Sequence, residues 1–239
     1  MAGVVLAVRG VSKAFGALVV ADDIGFDVEE GEILGIIGPN GAGKTTLFSL
    51  LSGTLAVDAG TIAFNDVDIS HAPAEIRVRL GLARTYQVPR PFSHMTVFDN
   101  LKVAAIFGGG LEEAECPEWI EQVLALTEMS AARTTLAGRL PLLQRKRLEL
   151  ARALATRPSL ILIDEVAAGL TDMENEVLIR LVREISLSGI TVIWIEHVMK
   201  TMLNATDRLL ALAGGQVIGI GAPRDVLDSP EVRRVYLGA

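Results

Sequence analysis

The sequence of 239 residues holds one cysteine, Cys116, so no internal disulfide can form and a reducing compartment is the simplest setting. Aromatic residues make up 5% of the chain, whereas half of it is apolar. The core can therefore be sizeable, but it must be built from aliphatic side chains. Cations are outnumbered, with 22 Lys and Arg against 29 Asp and Glu, for a net charge of −7. That balance argues against a nucleic-acid partner, because affinity for nucleic acid rests on Lys and Arg at phosphates. No apolar run is long enough to cross a bilayer, and the N-terminus does not read as a signal peptide. Work at a membrane would have to pass through a partner. Internal repeats and low-complexity segments are absent too. The length suits one α/β domain, with or without a subdomain.

What is present is a phosphate-binding loop. Gly38-Pro39-Asn40-Gly41-Ala42-Gly43-Lys44-Thr45-Thr46 matches GxxxxGK[ST] at every fixed position. Ile33 to Ile37 reads as a buried strand before it. Leu47, Phe48, Leu50 and Leu51 give one apolar helical face after it, with Gly53 as the stop. The glycines let backbone N–H groups turn inward around phosphate oxygens, and the helix N-terminus adds its positive end. Lys44 supplies a cation for the β- and γ-phosphates, and the Thr45 hydroxyl can ligate Mg²⁺.

From Val4 to Val28 the pattern is mostly period two, and Thr61 to Phe64 reads as a further strand before an Asn65-Asp66 turn. This predicts an antiparallel layer wrapped around the phosphate loop. Phe15 lies in that layer, either as a stacking platform for adenine or as a core or turn aromatic. Leu82 to Tyr86 reads as a strand, ended by Gln87-Val88-Pro89-Arg90-Pro91, where two prolines break regular structure. From Val88 to Ala155 the character is helical. Thr96 and Asp99 form a capping box, Pro117 suits a first helical turn, and Gly108-Gly109-Gly110 reads as a flexible connection. Leu160 to Ile163 and Ile190 to Ile195 are continuous apolar runs, as in parallel strands covered on both faces. A helical stripe from Val177 to Ile185 separates them. A hairpin around Gly214-Gly215 and a final helix from Val232 to Leu237 complete the chain.

Ligands of open α/β sheets bind beyond the carboxyl ends of the strands. The phosphate loop, Asp164-Glu165 and His197 all follow strand-like runs and are expected to meet in one crevice. Asp164 is placed to hold Mg²⁺. Glu165, one residue on, is placed to orient and deprotonate an attacking water. His197 would bond the γ-phosphate or that water, and Gln87 would sense metal and water from its loop. Taken singly, Asp164-Glu165 also reads as a solvated strand end and His197 as a helix cap. A water-activating carboxylate directly after the metal carboxylate points to nucleoside triphosphate hydrolysis.

From about Val8 to Gly238 the chain resembles the nucleotide-binding subunits of ABC transporters, and among them those of branched-chain amino acid importers. The resemblance rests on the phosphate loop, the Gln87 loop, the Leu160-to-Glu165 strand, the Ala168-Gly169-Leu170 turn and Ile195-Glu196-His197. Pro91-Phe92, Met95-Thr96-Val97-Phe98, Asn100-Leu101 and Val235-Tyr236-Leu237-Gly238 carry the subgroup. It implies an α/β P-loop fold with a mixed sheet, an N-terminal antiparallel β layer and an inserted helical subdomain. Residues 1–87 and 156–239 would form the ATP-binding core, and 88–155 the subdomain. It further implies ATP and Mg²⁺ as cofactors, with Thr45, Gln87 and Asp164 at the metal. Phe15 would stack on adenine, and Lys44, Gln87, Glu165 and His197 would serve hydrolysis. The implied partners are transmembrane permease subunits, a second ATPase subunit and, indirectly, a periplasmic binding protein. The implied place is the cytoplasmic face of the inner membrane, as a peripheral subunit.

One motif departs from that family. Where its signature is Leu-Ser-Gly-Gly-Gln followed by a basic helix, this chain has Leu140-Pro141-Leu142-Leu143-Gln144 before Arg145-Lys146-Arg147. The serine hydroxyl is lost, Pro141 has no N–H, and two leucines add bulk where a phosphate should approach backbone. Each charge-assisted hydrogen bond so lost is worth about 1.5–3 kcal/mol. Val166 and Thr171-Asp172 are milder departures. The expectation is a heterodimer with a second ATPase subunit of normal signature, a homodimer having two impaired sites. The rival readings are a subunit with little hydrolysis of its own and a soluble ABC-type ATPase not coupled to transport.

Overall fold

A computed structural model describes residues 3–237, with the side chains of residues 200 and 237 left aside. The chain opens with strands β1 (Val4–Phe15), β2 (Leu18–Glu29) and β3 (Ile33–Ile37), followed by helix α1 (Lys44–Leu51). Next come β4 (Ala59–Phe64), β5 (Val67–Asp68), α2 (Ala74–Arg79) and β6 (Leu82–Arg84). Three helices follow, α3 (Val97–Phe107), α4 (Cys116–Leu126) and α5 (Leu142–Ala155), and then β7 (Leu160–Asp164), α6 (Asp172–Leu187) and β8 (Thr191–Ile195). The last elements are α7 (Met199–Ala205), β9 (Arg208–Ala213), β10 (Gln216–Gly221), α8 (Pro223–Asp228) and α9 (Pro230–Leu237). The chain separates into two units, Met1–Ala74 with Thr191–Ala239, and Glu75–Ile190.

In the first unit, β2-β1-β4-β5 form an antiparallel sheet. Its strands alternate because one face is covered: Ile24, Phe26 and Val28 are buried while Asp23 and Gly25 are exposed. The Asn65-Asp66 turn puts both residues at positive φ, as a two-residue hairpin of matching twist requires. The other layer has the order β10-β9-β3-β8, with β3 parallel to both β8 and β9. Every residue of β3 and β8 is buried, which explains their unbroken apolar runs.

In the second unit, β6 and β7 pair in parallel, Leu82 opposite Leu160. Thr96 caps α3 through the capping box with Asp99, and Pro117 sits in the first turn of α4. Residues 97–155 are mainly helical, but residues 88–96 precede the first helix as irregular chain. Two expectations need correction. The strand at 82 stops at Arg84, and Tyr86 is exposed. Thr85 still donates its N–H to the Leu162 carbonyl at 2.9 Å, so the chain peels away gradually ahead of the prolines. Gly108 and Gly109 are packed: a Cβ at Gly108 would lie 2.6 Å from the Thr156 methyl, and one at Gly109 would lie 2.8 Å from the Ala105 carbonyl, whereas Gly110 is exposed with φ of 67°. Glycine serves close approach at the first two.

Candidate functional site

The phosphate loop leaves the carboxyl end of β3, and His197 follows β8, its parallel neighbour, at the same end. Two of the loop glycines are dictated by the surrounding chain. Gly43 has φ of 101°, and a Cβ there would lie 2.5 Å from the Val20 carbonyl oxygen. A Cβ at Gly38 would lie 2.5 Å from the Leu212 carbonyl. The turn between β9 and β10 fastens the loop, with Gly215 donating to the Ala42 carbonyl at 3.1 Å and Asp22 donating to the Gly215 carbonyl at 2.9 Å. Lys44 is buried and donates to the carbonyls of Gly38 at 2.7 Å and Pro39 at 3.0 Å. A phosphate would offer the same ammonium a full negative charge in place of neutral acceptors. Asn40, Gly41 and Thr45 are exposed, as a ligand contact requires, and Thr46 is half-buried in the first turn of α1. Phe15 is 52% exposed at the end of β1, with the Lys13 ammonium 5.8 Å from its ring centre, so the core reading fails, while its place directly before the β1–β2 turn agrees with the turn reading. The Tyr236 phenol on α9 meets the Gly38 backbone, and burial pushes its pKa up to about 12. Gly238 lies outside the described residues.

The second unit assembles the carboxylates. Asp164 ends β7 with its side chain buried, and its Oδ2 accepts from Arg84 Nη2 at 2.9 Å. Its backbone N–H donates to the Thr85 hydroxyl at 3.2 Å. Glu165 follows at φ of 45°, a left-handed conformation that costs a non-glycine residue about 1–2 kcal/mol. This reversal ends the strand and turns the carboxylate toward Gln87, whose Nε2 donates to Glu165 Oε2. Gln87 and Glu165 are thus brought together within one unit. Sequence reading passed over Arg84, whose signal was a cation closing an apolar strand, and Lys146, which looked like one charge of a basic surface helix.

The departure at the signature is visible in the backbone. Pro141 occupies the N-cap of α5 and offers no side-chain cap, where a serine would have supplied a hydroxyl. Leu142 is 44% exposed in the first turn.

The ABC transporter family model matches residues 21–168. The chain belongs to the ABC transporter family. It carries the ATP-hydrolysing cassette of that family, with ATP as its nucleotide. It is 36% identical over 233 residues to the lipopolysaccharide export system ATP-binding protein LptB of Acidithiobacillus ferridurans, covering 98% of this chain and 96% of that protein. It is also 36% identical over 253 residues to the high-affinity branched-chain amino acid transport ATP-binding protein BraF of Pseudomonas aeruginosa, covering 98% of each. Among solved structures, an ATP-binding cassette of an ABC transporter in its ADP conformation superposes with a TM-score of 0.91. The two are 31% identical over 99% of this chain and all of the other.

Proposed function

We propose that this chain is the ATP-hydrolysing subunit of an amino-acid importer, most simply one for branched-chain amino acids. The pairing of Gln87 with Glu165 beside a buried Asp164 carries the reading, because a fixed carboxylate beside a metal carboxylate suits activation of water. Lys44 binds the β- and γ-phosphates, backbone N–H groups from Asn40 to Thr46 cradle them, and Phe15 stacks on adenine. The Thr45 hydroxyl, the Gln87 amide oxygen and Asp164 are hard oxygen donors of the kind Mg²⁺ takes, and by resemblance to the family they would hold it. That ion would neutralise charge on the phosphates. Glu165 takes the proton of the attacking water, and His197 donates a hydrogen bond to the γ-phosphate oxygens. BraF supports the amino-acid substrate. LptB supports the second reading, an export ATPase.

No helix among the described residues is long and apolar enough to cross a membrane, so membrane work would pass through permease subunits at the cytoplasmic face. A groove of about 360 Å³ lined by Val78, Tyr86, Arg90, Ala104, Glu149 and Arg152 lies beside the Gln87 loop and is the proposed seat for a permease element. Pro141 at the N-cap of α5 supports a heterodimer in which this chain hydrolyses ATP at its own phosphate loop and offers its partner a weak signature. Uptake of labelled leucine by cells carrying Glu165→Gln, or the matching change in the second ATPase subunit, tests both points. Loss of uptake with Glu165→Gln and partial retention with the partner's change is expected. Equal loss refutes the asymmetry, and unchanged uptake with lost lipopolysaccharide export favours the second reading.

A further inference from the structure

Three side chains of α5, three residues apart, face the loop that carries Gln87. Lys146 is 3% exposed, and its ammonium donates to the Gln87 carbonyl at 2.7 Å. Glu149 is 5% exposed and accepts the Arg90 N–H at 3.0 Å and Arg152 Nη1 at 2.9 Å. Arg152 donates in turn to the Arg90 carbonyl at 3.0 Å and lies 5.4 Å from the centre of the Phe92 ring. Residues three apart on a helix lie along one face, so these form a ladder of rungs. The loop needs one. Pro89 and Pro91 have no N–H, so the segment cannot satisfy its backbone by pairing as a strand, and its remaining polar groups must find side chains.

We propose that Lys146, Glu149 and Arg152 strap the Gln87 loop to α5, and that Lys146 is the positioning residue that aims the Gln87 amide at Glu165. The chain of contacts runs from the Lys146 ammonium to the Gln87 carbonyl, and from the Gln87 Nε2 to the Glu165 carboxylate. The strap makes the loop and α5 one mechanical piece. A push on the loop moves the signature end of α5 directly, and a displacement of α5 reorients the group that holds Glu165. Burying a lysine is costly unless its ammonium is bonded, so the carbonyl contact is not an incidental surface pairing. The inference rests on the proposed roles of Gln87 and Glu165 in hydrolysis.

The test uses the complex assembled with the second ATPase subunit, this chain carrying Lys146→Met, which keeps length and removes the ammonium, or Lys146→Arg, which restores a donor. Hydrogen exchange reads the backbone amides from Gln87 to Phe92, and ATP hydrolysis reads kcat and KM. Loss of one hydrogen bond to a charged group predicts exchange about tenfold faster or more in Lys146→Met. It predicts kcat lower by about tenfold with KM for ATP within about twofold, since the phosphate loop is untouched. Lys146→Arg should recover most of both. Glu149→Leu should free the Arg90 amide while Glu149→Gln, which keeps an acceptor, should not. Wild-type exchange in Lys146→Met, wild-type kcat despite fast exchange, or a common loss in kcat and KM that Lys146→Arg fails to repair each overturns the proposal. A wild-type assembly, with the second ATPase subunit present, that binds ATP but hydrolyses none overturns instead the reading of Gln87 and Glu165, while the exchange data still judge the strap.

Discussion

Replacing Arg84 by Met should unfold this protein at a markedly lower temperature, although position 84 lies on a three-residue strand. Arg84 Nη2 lies 2.9 Å from Asp164 Oδ2, and the two side chains are 9% and 7% exposed. The methionine fills much of the same space and can keep a contact with the Tyr86 ring, over which the guanidinium sits at 5.3 Å. What it cannot do is neutralise Asp164. Removing one partner of a buried pair strands the other charge, at a cost of about 3–5 kcal/mol. At roughly 2–4 °C per kcal/mol for a chain of this size, the melting midpoint should fall by about 6–20 °C. Circular dichroism melts in low salt and in 0.5 M NaCl provide the assay, and the loss should survive salt because buried pairs are weakly screened. Arg84→Met with Asp164→Asn should lose less than the sum of the single changes, by up to about 3 kcal/mol. Addition of Mg²⁺ with a nonhydrolysable ATP analogue should narrow the deficit, because a cation returns beside Asp164. A loss below about 1 kcal/mol, or one that disappears in high salt, would refute the reasoning.

Two further outcomes follow from other parts of the molecule. Burial holds the Tyr236 phenol neutral up to about 12, above its unfolded value near 10, so its contribution is complete below pH 10 and lost as pH rises toward 12. Tyr236→Phe has nothing to ionise there. Its stability relative to wild type should therefore rise between pH 10 and 12, and parallel alkaline unfolding curves would contradict the assignment. Restoring the family signature with Pro141→Ser, Leu142→Gly and Leu143→Gly should raise steady-state ATP hydrolysis of the assembled complex severalfold, since each regained hydrogen bond to phosphate is worth about 1.5–3 kcal/mol. Unchanged turnover would mean that the natural sequence already serves that site.

The legible parts of the fold were those whose cause is local. β3 and β8 announced themselves because strands covered on both faces need apolar side chains at every position. The α3 capping box is written in residues three apart. The same logic applies to Thr171 and Glu174, which cap α6 reciprocally in a stretch first noticed only as a departure from a family pattern. The short helices α2 and α8, of six residues each, left too little periodicity to be seen. At Thr85-Tyr86 the sequence pattern suggested strand, but the strand ends at Arg84, two residues sooner, with a last hydrogen bond to β7 from Thr85.

Sequence by itself determined the chemistry on offer: a phosphate-gripping turn, two adjacent carboxylates, a glutamine loop bounded by prolines and a signature without its serine. Those features are contiguous, and contiguous residues constrain one another through backbone geometry alone. Which charge answers which was decided only by the folded chain. Arg84 meets Asp164 across 80 positions, and Lys146 meets Gln87 across 59. Such pairs form because burial forces every charge and carbonyl to find a partner among whatever the packing brings near, and no local pattern records that choice.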